Sequence, residues 1–334
     1  MNSNPNRQKV AVFHKFGGPE VISLEEAVVP SGSSLQKDEL LIRVKYGTVN
    51  SADGRIRSRN VPRGFGMILG LLYGFQTPKL KVLGLEVVGE VVAIGTGVSS
   101  FQLHDRVLVN LGFGMGGHQE YIVIKEKAQA IKIPDEVSDE RAVASVFGGT
   151  TALLYLRDKL RLEPNQRILV TGAGGAVGSA AVQIALAMGA NVTAVCSTEK
   201  VAFVQKLGAH KIIDYKMGDW KSQPATYDAI FDSVGLFGVE DVNPWLSENG
   251  KAALMVADLP LNLKCLWFSL THKKKVFAGA ISPEKTDLED LMKKIENRQF
   301  DPVIGKVVPF SAIREAHELV DSGHKLGSVL LKMW

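Results

Sequence analysis

Cysteine is almost absent: the 334 residues hold only Cys196 and Cys265, far apart and outside any C-x-x-C pair. Neither a disulfide framework nor a cysteine-rich zinc site is therefore expected. Long hydrophobic runs are missing as well. The longest, GFGMILGLLYGF at 64–75, falls far short of the ~20 residues a membrane-spanning helix requires. No apolar core follows the polar start MNSNPNRQK, so nothing there reads as a signal peptide, and a cytoplasmic location is the expectation. The formal charge of +4 comes from dispersed Lys and Arg, with one tight cluster at Lys273-Lys274-Lys275, so nucleic acid is not implied. Contact with a membrane surface is not expected either, because an edge strand and a dimer interface would account for the apolar part of LKCLWFSLTHKKK. Internal repeats and low-complexity segments are lacking. A chain of this length, 46% hydrophobic and 22% charged, reads as globular and long enough for two domains, each with a real core.

Short alternating or apolar runs bounded by glycine and other turn residues fill the first part of the chain, among them KVAVFHKFGG, ELLIRVKYGTVN and LEVVGEVVAIGTGV. This is the pattern of antiparallel β structure. From about Pro134 the texture changes, and apolar strands such as RILVTG, NVTAVC, YDAIFDSVG and KAALMVA alternate with helical segments. That alternation predicts βαβ units on a doubly wound parallel sheet. After about residue 284 a helix, a strand, a second helix and a closing strand form a tail too short to be a domain.

One stretch carries specific chemistry: VTGAGGAVG, after the apolar run Ile168-Leu169-Val170 and before the helical pattern of Val177, Ala181, Ile184, Ala185 and Met188, with Gly189 as its stop. A strand, a tight glycine turn and a helix start aim unpaired backbone N–H groups and the positive end of a helix dipole at an anion. Glycines at 172, 175 and 178 let a pyrophosphate and the strand approach closely, so Gly172, Gly175, Ala176 and Val177 are expected to hold a dinucleotide. The tip of the next strand, 192–196, selects which one. NAD enzymes place Asp or Glu there, whereas this chain has Ser197-Thr198-Glu199-Lys200. Ser197 and Lys200 would donate to a 2′-phosphate, Tyr215 would close the pocket, and Glu199 is read as the start of the next helix. NADPH is the expected cofactor. Ser233, Val234, Val256 and Ala280, at the carboxyl ends of later strands, are expected to complete its site.

From end to end the chain resembles the medium-chain dehydrogenase/reductase superfamily, and within it the zinc-free quinone-oxidoreductase branch. The matching pieces are KFGGPEVISLEE, VNSADGRIRS, VLGLEVVGEVVAIGTGV, HDRV, GGHQEYIVI, TTALLYL, VTGAGGAVG, LGAHKIIDY, FDSVG and KVVPFSAIREAHELV, in the family's order. The resemblance implies a Rossmann domain at 135–284 inserted into a catalytic domain at 1–134 and 285–334. That catalytic domain would be a partly open β-barrel of the chaperonin-10 type. An active site in the cleft between the domains and a homodimer are implied too. Zinc-dependent members carry a cysteine where this chain has Asn50 and a histidine where it has Leu85. Glu86 alone cannot build a tetrahedral site, so no metal is expected.

By the same resemblance Asn50 sits near nicotinamide and substrate as an oxyanion donor; as a residue type at this position it equally fits a turn cap with Asp53. Thr151 resembles the residue that meets the nicotinamide end of the cofactor, or it caps a helix. The tyrosine that commonly follows the Asn-x-x-Asp motif is missing: Arg55 and Val61 stand there, and Tyr73 comes later. Arg55, with Arg57 and Arg59, could favour an anionic substrate or form a salt-bridged face. His118 fits either the substrate cleft or the core. The apolar 64–75 segment could be a lid, a buried loop or a dimer contact. The expected function is an NADPH-dependent reductase acting on a quinone or an α,β-unsaturated carbonyl. Two alternatives stand beside it: a zinc-free enoyl-thioester reductase, and an NADPH-binding regulatory or structural protein with little turnover.

Overall fold

A computed structural model describes residues 6–222, 225–279 and 281–334. β1 (Arg7–Phe13) and β2 (Ile22–Val28) pair as an antiparallel ladder. β3 (Glu39–Val49), β4 (Glu86–Ile94), β5 (Arg106–Asn110), β6 (Tyr121–Lys125) and β7 (Ala130–Lys132) pair antiparallel in a second sheet, with β3 bonded to both β4 and β6. Alternation sets the register: Leu40, Ile42 and Val44 of β3 meet Val87 and Val91 of β4 in one buried cluster. α1 (Ser51–Ser58) and α2 (Gly66–Tyr73) fill the connection from β3 to β4.

A bent helical run over 139–160 follows, with α3 (Asp139–Ser145) and α4 (Thr151–Leu154) as its α-helical parts and wider π-type turns between and after them. Ser138 caps its start by accepting from the Arg141 amide at 3.3 Å. Then come β8 (Arg167–Thr171), α5 (Ala176–Ala187), β9 (Asn191–Cys196), α6 (Val201–Lys206), β10 (Lys211–Asp214), β11 (Tyr227–Asp232), α7 (Val239–Val242), β12 (Leu246–Leu254), α8 (Leu259–Thr271) and β13 (Lys275–Ala278). The strands are parallel in the order β10-β9-β8-β11-β12-β13, which is the doubly wound order of dinucleotide-binding sheets, with the switch point between β8 and β11.

The apolar stretch read as an edge strand is instead α8; the edge strand is the shorter β13. Asp258 accepts from the Leu261 amide at 2.8 Å and Pro260 occupies the first turn, so a cap and a Pro both start a helix there. The tail returns through α9 (Lys285–Glu296), β14 (Ile304–Pro309), α10 (Ile313–Asp321) and β15 (Ser328–Lys332). β15 runs antiparallel to β3 and parallel to β14, so the C-terminal strands complete the first sheet. Tyr46, Val88 and Leu108 of that sheet share a buried cluster with Val170 and Phe231 of the parallel one and with Ala181 of α5. The two layers therefore meet through packed side chains rather than across a linker.

Candidate active site

The glycine turn lies at the switch point of the parallel sheet. Gly172 has φ +64, and a Cβ there would meet Ser233 Oγ at 2.5 Å. A Cβ on Gly178 would lie 2.1 Å from the Gly172 carbonyl oxygen, so helix and strand touch there. Gly175 differs. The nearest atom to its would-be Cβ, Gly172 O, is 3.5 Å away, so the space in front of it is free for a ligand. Gly175 also caps α5, with partly exposed Ala176 and Val177 in the first turn, where N–H groups have no intrahelical acceptor. An open cradle under an N-terminus of this length fits a pyrophosphate.

At the tip of β9, Ser197 is buried and Tyr215 is exposed. Lys200 packs its stem on Gly174 and donates to the Lys325 carbonyl at 3.0 Å. Glu199 does not face this pocket as a free carboxylate. The Lys216 ammonium, 2.5 Å away, holds its pKa down to about 2. Sequence reading missed Lys216, which brings a second cation to the place where the 2′-phosphate is expected. Ser233 is held by hydrogen bonds to Thr171, with Oγ donating to its carbonyl at 2.8 Å. Val234 is half exposed and Val256 partly so, beyond the ends of β11 and β12. Ala280 lies outside the described residues.

At the other side of the junction, Asn50 is both things its residue type suggested. It caps α1 by accepting from the Ala52 amide at 2.9 Å, its own backbone N–H donates to Asp53 at 2.9 Å, and its side-chain amide reaches Glu86 Oε1 at 3.5 Å. Thr48 Oγ1 donates to the same Glu86 oxygen. Glu86 is 1% exposed, and burial raises its pKa to about 8, with the Asp53 charge adding to the rise and Lys325 opposing it. Both donors fall on Oε1, and neither bonds to Oε2. Lys325, also missed from sequence, is lowered to about 8 by burial and by Lys200, while Glu86 favours its charged form. Its ammonium donates to the Gly327 carbonyl at 2.6 Å, and the Gly327 amide donates to Gly174 O at 3.0 Å. The tail thus sets Lys325 against the glycine turn.

The remaining predicted residues are placed as follows. His118 is 1% exposed and its Nε2 donates to the Thr48 carbonyl at 2.8 Å, so this nitrogen secures the end of β3 and has no free proton for a ligand. Arg57 is fully buried, bonded to His317 Nδ1 at 2.6 Å and paired with Asp321. Arg59 bonds to the Phe75 carbonyl. Arg55 is half-buried, burial lowers its pKa, and it has no hydrogen bond or ion pair among the described residues. Thr151 lies inside the helical run rather than at its start, and its hydroxyl donates to Phe147 O at 2.7 Å. Tyr73 is buried and donates to Phe113 O at 2.8 Å.

The raised pKa of Glu86 has a stability consequence. Between its ordinary 4.5 and about 8 the folded state holds a proton that the unfolded chain has released. Stability from this residue is therefore complete below 4.5 and lost as pH rises through about 8. Glu86→Gln is expected to flatten that decline, read as Tm against pH. An unchanged slope would put the proton elsewhere.

The Alcohol dehydrogenase GroES-like domain family matches residues 36–135, and the Zinc-binding dehydrogenase family matches residues 207–331. The chain is 28% identical over 336 residues to the chloroplast envelope quinone oxidoreductase homolog of Arabidopsis thaliana, covering 96% of this chain and 97% of that one. It is 27% identical over 341 residues to the chloroplastic NADPH-dependent alkenal/one oxidoreductase of the same plant, covering 98% and 80%. Among solved structures, Escherichia coli quinone oxidoreductase complexed with NADPH matches with a TM-score of 0.79 and 25% identity, covering 97% of this chain and all of that one. With the GroES-like layer, the doubly wound sheet and the glycine turn in the same order, the chain belongs to the medium-chain dehydrogenase/reductase superfamily, among relatives that include quinone oxidoreductases.

Proposed function

We propose that the protein is an NADPH-dependent, zinc-independent reductase that moves a hydride to a quinone or to the β-carbon of an α,β-unsaturated carbonyl. The observation that carries this reading is the donor set beside the open Gly175 cradle: an amide, a carboxyl and an ammonium at Asn50, Glu86 and Lys325, with Asn50 and Leu85 at the positions where zinc enzymes of the superfamily use Cys and His. The names of the quinone and alkenal/one oxidoreductases support the acceptor class, and the NADPH in two of those names supports the cofactor.

Bound NADPH would supply the hydride. The chain's own residues do the rest. Asn50 donates one amide hydrogen to the substrate oxygen on which charge gathers, while Glu86 holds the other hydrogen and so fixes the amide plane. Thr48 pins Glu86, and His118 positions Thr48. The Glu86–Lys325 pair, with both pKa values about 8, holds the proton that neutralises the reduced product. Arg55 adds a positive charge without a competing partner, and Thr151 packs at the nicotinamide end. Gly172, Ala176 and Val177 line the pyrophosphate, with Ser197, Lys200, Lys216 and Tyr215 around the 2′-phosphate.

Asn50→Ala is expected to leave NADPH affinity intact and lower kcat on the order of 10²-fold, with about 1 kcal/mol of stability lost with the cap. Asn50→Asp keeps the cap but removes the donor, so a full kcat in that variant would reduce Asn50 to a turn residue. Lys200→Ala is expected to weaken NADPH by roughly tenfold or more through one lost charge-assisted bond, with NADH barely affected; equal losses would sink the phosphate assignment. A homodimer belongs to the same reading, since β13 leaves one edge of the parallel sheet unpaired among the described residues. Sedimentation that finds only monomer would remove it.

A further inference from the structure

We infer that the face formed by α2 and α8 docks on an anionic phospholipid surface. The two apolar stretches that an interior place would explain are both at the surface. α8 exposes Leu263, Leu266, Trp267 and Leu270, at 61%, 59%, 70% and 73%, along one side, with Cys265 and Phe268 buried on the other. α2 exposes Met67, Ile68, Leu71 and Leu72, at 72%, 48%, 62% and 59%. The two helices start from one junction: the Leu259 amide donates to Arg63 O at 2.9 Å, and a Cβ on Gly64 would touch Leu259. Exposed Leu, Met and Trp grouped on adjacent helices are the make-up of an interfacial surface.

Charge selects the occupant. Residues 54–85 contain no Asp or Glu, and with Arg57 buried and paired they leave three Arg and two Lys; residues 259–283 contain four Lys and no acid. Arg63, at the junction, is exposed and has no side-chain hydrogen bond or ion pair among the described residues. Lys264 and Lys273 do have partners, Glu240 at 3.1 Å and Glu248 at 2.7 Å, but all four groups are well exposed, where such pairs are weak and readily exchanged. Asp258 is taken up by the α8 cap. A second copy meeting this face would set cation against cation with no acid in either segment to receive it. Anionic headgroups around a shallow apolar core satisfy both halves of the pattern. No helix among the described residues is long and apolar enough to cross a membrane, so the contact is one of lying on the surface. α2 packs through Leu69 and Tyr73 on Ile56 of α1, the helix that Asn50 caps, so a docked surface would lie over the element that carries the proposed oxyanion donor.

Sedimentation of the full chain with vesicles of phosphatidylcholine, with and without phosphatidylglycerol, tests this. Partitioning onto the anionic vesicles is expected, falling with salt, and Leu71→Glu and Trp267→Glu should each lower it by roughly tenfold or more while leaving NADPH binding unchanged. No partitioning at low salt, or variants that both partition as well as the unsubstituted protein, would overturn the inference. So would a dimer that these variants dissociate in the absence of vesicle binding, which would assign the face to a second copy.

Discussion

Lys325→Met is expected to lower kcat by about 10² to 10⁴-fold, the range for removing a positioned proton donor, with NADPH affinity changed far less. The reason is the company Lys325 keeps. Burial and Lys200 lower it to about 8, and Glu86, raised to about 8, shares its field. In the native protein the pair holds its proton below that range, so kcat is expected to fall as pH climbs past 8. Methionine removes the charge that favours ionised Glu86, so whatever activity survives should lose its alkaline limb to higher pH. Lys325→Arg keeps a cation but cannot release a proton, so it should retain folding and cofactor binding without restoring kcat. A merely structural lysine would be rescued by arginine and would leave the pH profile where it was.

The second large effect concerns glycines that look alike in sequence. At Gly175 a Cβ finds open space, and its φ of −85 suits any residue. Gly175→Val should therefore fold with an unchanged Tm yet lose NADPH affinity by at least about a hundredfold, since the side chain occupies the space a pyrophosphate needs. Gly178→Val should fail in the opposite order. Its Cβ would lie 2.1 Å from Gly172 O, so the fold itself is overpacked, at about 1 to 3 kcal/mol or more. If both variants bind NADPH normally and lose only stability, the turn is a turn and not a cradle.

What could be read in the sequence was what neighbouring residues decide together. Strand, glycine turn and helix announce themselves within VTGAGGAVG and its flanks, and Ala176–Ala187 forms the helix that the spacing of Val177, Ala181 and Ile184 predicted. Asn50 was legible because it ends an apolar strand and precedes a helix. Glu86 and Lys325 were not, because neither has a local pattern; they come together only when β15 pairs with β3 and its preceding turn closes on Gly174. Lys216 stayed hidden for a similar reason: its role depends on β10 lying beside β9, which brings it to Glu199. The α8 stretch was misplaced because a short apolar run reads equally as a strand or as a helix, and only the Asp258 cap and Pro260 separate the two. His118 shows the limit of reading by residue type, since one hydrogen bond to the Thr48 carbonyl turns a candidate donor into part of the framework.

The measurement that bears most directly on the account is the oxidation of NADPH by the purified protein, followed by absorbance, with 9,10-phenanthrenequinone and a simple enone as acceptors and a metal chelator present throughout. Acceptor-dependent loss of NADPH that the chelator leaves unchanged and that Asn50→Ala slows on the order of 10²-fold is the predicted result. Tight NADPH binding with no oxidation by any acceptor, or activity that the chelator removes, would contradict it.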